Sequence, residues 1–258
     1  MAFIVPHTTR LQTRGNGTTV ELEPPMTQPG DAHPSDQTSR QPGRSARHMG
    51  VALVTGCSTG IGRATALRLV REGWTVFATA RDVSTLSPLA QAGCRTLALD
   101  VTDEESRRSA ITAIEQSHGA VGVLVNNAGF SRSGAVEVVP LDQARAQFET
   151  NVFGPMRLIQ LALPGMRRQG YGRIVNISSM GGRLTLPGAG LYHASKYALE
   201  ALSDALRFET RGFGVEVVLI EPGLIRSHFA ARVSASLSPT AAQPSPYAHF
   251  HSEVERIT

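Results

Sequence analysis

Residues 51–62 read Val51-Ala52-Leu53-Val54-Thr55-Gly56-Cys57-Ser58-Thr59-Gly60-Ile61-Gly62, and this stretch decides the fold. The apolar run Val51–Thr55 has the composition of a strand buried on both faces. Ile61–Glu72 then shows helical spacing and ends near Gly73. Glycines at a strand-to-helix junction let the backbone approach a pyrophosphate at the helix N-terminus. The spacing here is G-x-x-x-G-x-G, and a glycine loop alone also serves ordinary tight turns. Its position between the first strand and the first helix favours a dinucleotide. Cys57 reads as a small spacer in the loop.

Outward from this stretch, strands and helices alternate. Further strands are predicted at Thr75–Thr79, Thr96–Leu99, Val121–Val125, Arg173–Ile177 and Val215–Ile220. Helices are predicted at Ser84–Gln91, Thr102–Ser117, Leu141–Arg168 and Tyr192–Arg211. Thr102, with Glu105 three residues on, has the pattern of a capping box. β-Branched runs alternating with amphipathic helices define an α/β fold. The expectation is a Rossmann-like, doubly wound parallel sheet of six strands with helices on both faces. No internal repeat of solenoid period occurs.

Residues 1–48 differ from the rest. Pro24, Pro25, Pro29, Pro34 and Pro42 punctuate a polar stretch with little apolar periodicity. It is expected to be a disordered extension. Met49 directly precedes the first strand, so the folded part is expected to begin there, with 49–229 as the dinucleotide-binding domain. Residues 230–258 are expected to form an abbreviated substrate-loop region and tail. No apolar run reaches eighteen residues, so no transmembrane helix is predicted. The N-terminus lacks the pattern of a secretory signal. Two cysteines make neither a disulfide framework nor a metal cluster. These features point to a reduced, cytoplasmic setting and to no metal. The net charge is +4 with arginines scattered, which gives no nucleic-acid footprint.

Chemistry-bearing residues fall at the carboxyl ends of the predicted strands, where open α/β sheets bind ligands. Asp100-Val101 follows the third strand and Asn126-Asn127-Ala128-Gly129 the fourth. Ser178-Ser179 follows the fifth and Pro222-Gly223 the sixth. At the end of the second strand the ribose-reading position holds Ala80, with Arg81 next. A guanidinium suits a 2′-phosphate, which a carboxylate would repel. NADP(H) is therefore predicted over NAD(H), with Asp82 one residue on expected to point elsewhere. The chain holds a single lysine, Lys196, four residues after Tyr192. On a helix these side chains share a face. The ammonium is expected to lower the phenol pKa and make Tyr192 a general acid/base. His193, beside the tyrosine, reads as a spacer.

Together these residues resemble the short-chain dehydrogenase/reductase family in its single-domain form. The resemblance runs from about Met49 to Phe229. It rests on T-G-x-x-x-G-x-G, N-N-A-G, N-V-x-G at Asn151–Gly154, a serine thirteen residues before Y-x-x-x-K, and P-G-x-I-x-S, in that order. It implies an oxidoreductase acting on a small ketone or secondary alcohol with a catalytic tetrad of Asn151, Ser179, Tyr192 and Lys196. Ser179 would hydrogen-bond the substrate oxygen, Tyr192 would exchange the proton, and Lys196 would hold the nicotinamide ribose. Asn151 would position a relay water. For the cofactor it implies Gly56, Ser58, Thr59, Gly60, Ile61 and Gly62 at the phosphates, and Asp100 and Val101 at the adenine. It further implies Asn127, Ala128 and Gly129 at the adenosine ribose, and Pro222, Gly223, Ile225 and Ser227 at the nicotinamide. The Asn-Ala-Gly-Phe-Ser-Arg-Ser-Gly loop and the Ala80-Arg81 pair look most like retinol and 17β-hydroxysteroid dehydrogenase-like members.

The family pattern usually continues further past Pro222-Gly223. Leu224–Thr258 contains proline breaks and no apolar strand-like run, so a seventh strand is expected to be missing. That would leave the sixth strand as an edge and put homo-oligomerisation in question. The competing expectation is a non-catalytic dinucleotide-binding protein or an inactive truncated member. An extended sugar-nucleotide epimerase is disfavoured by the glycine spacing.

Overall fold

The computed structural model describes residues 50–223, 225, 246–247 and 249–250. Six strands, β1 (Val51–Val54), β2 (Thr75–Ala80), β3 (Arg95–Ala98), β4 (Val123–Asn126), β5 (Gly172–Ile177) and β6 (Val215–Ile220), form one sheet. Its order is β3-β2-β1-β4-β5-β6, and every pairing is parallel. The order reverses between β1 and β4. Connections leave on opposite faces there, and a crevice opens at the strand ends.

Period-two alternation in β1 divides the core. Leu53 faces one side with Leu124, Ile174, Ile114, Leu158 and Met166. Ala52 and Val54 face the other with Val76, Ala78, Leu86 and Leu89. The first side is covered by α3 (Glu104–His118) and α5 (Gly154–Gln169), the second by α1 (Gly60–Arg71) and α2 (Ser87–Gln91). The predicted doubly wound six-stranded sheet is therefore the observed fold.

Three local expectations are corrected. The helix predicted over Ser84–Gln91 is a 3₁₀ turn, Val83–Leu86, followed by the short α2. Asp82 caps that turn by accepting from the Ser84 N–H at 2.9 Å. The cap of α3 is Asp103, which accepts from the Ser106 N–H at 2.7 Å, and not Thr102. Thr102 donates its hydroxyl to Asp100 instead, because a carboxylate two residues back is a nearer and stronger acceptor. The single helix predicted over Leu141–Arg168 is three pieces: α4 (Leu141–Phe148), a π-helical turn at Glu149–Phe153, and α5. Single π turns inside helices recur at functional sites.

β6 is an edge of the sheet among the described residues. The predicted extension 1–48, most of 230–258 and the segment expected to lack a seventh strand lie outside the described residues. Among the described residues, no helix is long and apolar enough to cross a membrane.

Candidate active site

The glycine loop is a cradle that side chains would fill. Gly56 has φ +69°, and a Cβ there would stand 2.9 Å from the Ala128 backbone. A Cβ on Gly62 would meet the Asn127 amide at 2.4 Å and the Gly56 carbonyl at 2.5 Å. Asn127 itself donates to the carbonyls of Thr55 and Gly56, at 2.7 and 3.0 Å. The Thr55 hydroxyl accepts from the N–H groups of Asn127 and Ala128, both at 3.0 Å. The N-N-A-G segment thus fixes the shape of the loop. Ser58, Thr59 and Ile61 are part-buried beside it, and Gly60 is exposed with φ +60°. The side chain of Thr59 makes no cap hydrogen bond among the described residues, and the first turn of α1 holds no acid. Its N–H groups and positive dipole end suit an anion.

Arg81 is exposed at the end of β2. Asp82 is spent on its own turn, accepting from both the N–H and the hydroxyl of Ser84. Burial pushes the Asp100 carboxyl up, but hydrogen bonds from Thr102 and the charge of Arg81 carry it below the usual range. Val101 is in the core, with its carbonyl taken by Arg107 at 2.6 Å. Pro222 accepts from the Met180 N–H at 3.0 Å, while a Cβ on Gly223 would meet open space. Ile225 is exposed, and Ser227 lies outside the described residues. A tight glycine cradle and an uncapped helix start fit the pyrophosphate of a dinucleotide.

Asn151, Ser179, Tyr192 and Lys196 come from three segments and gather beyond β4 and β5. Tyr192 and Lys196 lie on α6 (Gly190–Glu209), with the Lys196 Nζ 5.7 Å from the phenol ring centroid. The Ser179 hydroxyl hydrogen-bonds Tyr192 and accepts from the Gly181 N–H at 3.0 Å. Lys196 is buried and donates to the Ile177 carbonyl at 2.8 Å. Asn151 sits in the π turn with its side chain buried. Its Oδ1 accepts from the Phe130 N–H at 3.1 Å, and its Nδ2 donates to the Phe130 carbonyl at 2.9 Å and to Ser195 at 3.0 Å. The side-chain amide therefore ties the loop after β4 to α6.

The expected electrostatics of the pair need correction. Burial pushes the Tyr192 phenol up, and its hydrogen bond to Ser179 pulls it back only partly. It is not lowered as the spacing predicted. Burial lowers the Lys196 ammonium to about 8, while the charge of Glu200 supports it. An ammonium directed at a carbonyl more than 5 Å from the ring centroid does little for the phenolate, so desolvation wins. His193 is more than a spacer. It is buried, and its Nδ1 pairs with the Gly181 carbonyl at 2.9 Å, which braces the serine turn against α6.

The sequence reading missed several buried partners. Ser195 joins Asn151 to the Tyr192 carbonyl, to which it donates at 2.7 Å. Asn126 donates to Asn176, and Asn176 to Ser203, each at 2.8 Å. Cys57 is buried, and burial pushes its thiol up to about 12, as suits a spacer.

Residues 50–238 match the short chain dehydrogenase family. The uncharacterized oxidoreductase YbbO of Escherichia coli is 42% identical over 187 residues, 72% of this chain and 70% of the relative. The NADPH-dependent 3-dehydrocapnine reductase of Ornithobacterium rhinotracheale is 38% identical over 200 residues, 74% and 71% of the two chains. Such matches cover about two thirds of the curated relatives' own length. A solved metagenomic short-chain oxidoreductase in complex with NADP superposes with TM-score 0.65 at 33% identity, covering 70% of this chain and 86% of that one. A family member from Burkholderia phymatum in complex with NAD superposes with TM-score 0.71 at 26% identity, covering 83% and 80%. The chain belongs to the short-chain dehydrogenase/reductase family, whose members are oxidoreductases that use nicotinamide cofactors on small molecules.

Proposed function

We propose that this chain is an NADP(H)-dependent oxidoreductase that interconverts a ketone and a secondary alcohol, with Tyr192 as general acid/base. The observation that carries the reading is the Ser179–Tyr192 hydrogen bond beside a buried Lys196, at the sheet edge that also carries the glycine cradle. The dinucleotide would supply or accept the hydride.

The chain's own residues handle the proton and the charge. Ser179 orients the substrate oxygen and meets the charge that develops on it. Tyr192, kept protonated by its burial, donates to that oxygen in reduction and receives the proton back in oxidation. Lys196 keeps two donors after its bond to Ile177, enough for the nicotinamide ribose and a proton route. Asn151 holds the wall of that route in place and positions its water. Gly56 to Gly62 hold the phosphates, and Arg81 reads the 2′-phosphate. Thr102 donates twice to Oδ1 of Asp100, which leaves Oδ2 for the adenine amino group.

For the carbonyl substrate, a cleft of about 530 Å³ opens beside the start of α6. Ala135, Val136, Leu186, Pro187, Tyr247 and Phe250 line it, which favours an apolar body on the substrate. The NADPH-dependent reductase from Ornithobacterium supports the cofactor and the reduction in this reading.

The test is thermal unfolding with NADPH and, separately, with NADH. Ligand at about a hundredfold over its Kd adds about 2.7 kcal/mol of apparent stability. A larger shift with NADPH is expected, and a preference for NADH would overturn the assignment of Arg81. A shift with NADPH but no turnover across ketones would favour a non-catalytic binder.

A further inference from the structure

One buried carboxylate lies behind this site without a part in it. Glu200 is 4% exposed and follows Tyr192 and Lys196 on α6 at the same four-residue interval. Its Oε2 pairs with the Arg183 guanidinium at 2.9 Å. Arg183 in turn reaches Glu221, just after β6, at 3.0 Å. The carboxylate packs under the Met180–Gly182 turn. A Cβ on Gly182 would stand 2.9 Å from both the Glu200 Cγ and the Ser178 hydroxyl. The Ser178 side chain and the Glu200 carboxylate both pack against this turn. Three segments thus meet at one carboxylate: the turn after Ser179, the helix of Tyr192 and Lys196, and the strand end leading to Pro222.

The buried Glu200–Arg183 pair is weakly explained by stability alone. Burying an ion pair is often no better than burying an apolar pair of the same shape. Glu200 also stands one helical turn beyond Lys196, the single lysine of the chain, on α6. We propose that Glu200 is a positioning residue of this site: it holds the Ser179 turn against α6 and supplies the counter-charge to the buried ammonium of Lys196. The positioning role rests on the reading above, in which Ser179, Tyr192 and Lys196 carry the chemistry.

The charges around Lys196 are few. Glu200 is its neighbour one turn on, with Arg183, Glu221 and Asp204 behind that carboxylate and the Tyr192 phenol one turn back. Burial disfavours the ammonium, and Glu200 opposes burial. Removing the carboxylate charge should therefore move the lysine titration to lower pH. Removing the arginine charge should move it the other way.

The single lysine makes this measurable. Protein labelled with ¹³C,¹⁵N-lysine gives one set of side-chain signals, whose pH titration reports Lys196 alone. The wild-type midpoint is expected near 8. Glu200→Gln keeps size and hydrogen bonding but loses the charge. Its midpoint should fall by on the order of one unit, and the matching limb of the kcat–pH profile should move with it. Glu200→Asp should recover part of the shift. A midpoint and profile unchanged in Glu200→Gln would overturn the proposal. Should that variant fail to fold, Arg183→Met keeps Glu200 in place. A raised midpoint is then expected, and an unmoved one is equally fatal. A lysine that titrates as described in a protein that turns over no ketone with NADPH or NADH would remove the reaction and with it the positioning role. An unmoved midpoint in an active enzyme would remove only Glu200.

Discussion

The two halves of the sheet are built on different physics. Around β1, β2 and β3 the interior is mostly apolar, with Thr55 and Thr79 as buried hydroxyls, and the site is made largely of backbone. Glycines bare the amides, Asn127 and Thr55 fix the loop, and Cys57 fills space. Around β4, β5 and β6 the interior carries polar side chains. Asn126, Asn151, Asn176, Ser195, Lys196, Glu200 and Ser203 are all buried. A pyrophosphate needs donors that cost no side-chain entropy, which backbone amides provide. Proton chemistry needs groups whose affinity for protons is set by burial and neighbours, which only side chains provide. The glycine cradle and the buried polar cluster thereby lie on opposite sides of the β1/β4 switch point.

The sharpest way to break this comparison is to remove one atom from the chemical half. Tyr192→Phe deletes the phenol oxygen and leaves the ring. Activity on a ketone should fall by about 10²- to 10⁴-fold, with the thermal shift given by NADPH unchanged. An equal loss of both would show that the halves are not separate. Gly62→Ala attacks the other half. Its Cβ would sit 2.4 Å from the Asn127 amide and 2.5 Å from the Gly56 carbonyl, so the loop must move. Overpacking of this kind costs about 1–3 kcal/mol. The NADPH shift should disappear while the Lys196 titration stays in place. Arg81→Ala is milder. Losing a charge-assisted contact worth about 1.5–3 kcal/mol should weaken NADPH about ten- to hundredfold and leave NADH unaltered.

What could be read in the sequence follows the same divide. The first half is local: strand, glycines and helix are consecutive, so spacing alone placed the glycine loop between the first strand and the first helix. That Asp82 points elsewhere was likewise expected from its place next to Arg81, although the reason, the capping of the 3₁₀ turn, was not visible. The second half is assembled over distance. Asn151 meets Phe130 across 21 residues and Ser195 across 44. Asn176 meets Asn126 across 50. Motif spacing named Tyr192 and Lys196, but no periodicity announces that Ser195 or Glu200 will be buried polar partners. The π turn at Asn151 was hidden because its residues continue a helical pattern on both sides. The phenol was misjudged because i, i+4 spacing places two groups on one face without saying where the ammonium points. The cap of α3 was misjudged because Thr102 and Asp103 are both good caps, and Asp100 had first claim on the threonine.

The buried chain of amides gives a stability test of the polar half. In Asn176→Ala, Asn126 loses its acceptor and Ser203 its donor. Leaving buried groups unsatisfied costs about 1–3 kcal/mol, which denaturant unfolding should register without loss of the NADPH shift.

The smallest expected effect is an absence of change in the apolar half. Cys57 lies inside the glycine loop, where a reactive thiol would put redox chemistry next to the phosphates. Its thiol is buried, its Sγ contacts the Val54 carbonyl at 3.2 Å, and burial pushes it up to about 12. The thiolate, which is the reactive form, is then scarce at neutral pH. A maleimide reagent at pH 7–8 should leave Cys57 unmodified in the native protein and label it after unfolding, by mass spectrometry of the peptide. Because desolvation comes from the packed loop and not from a charge, NADPH should not alter that protection. Rapid native labelling would mean that the loop opens, and that the cradle is formed by the ligand and not before it.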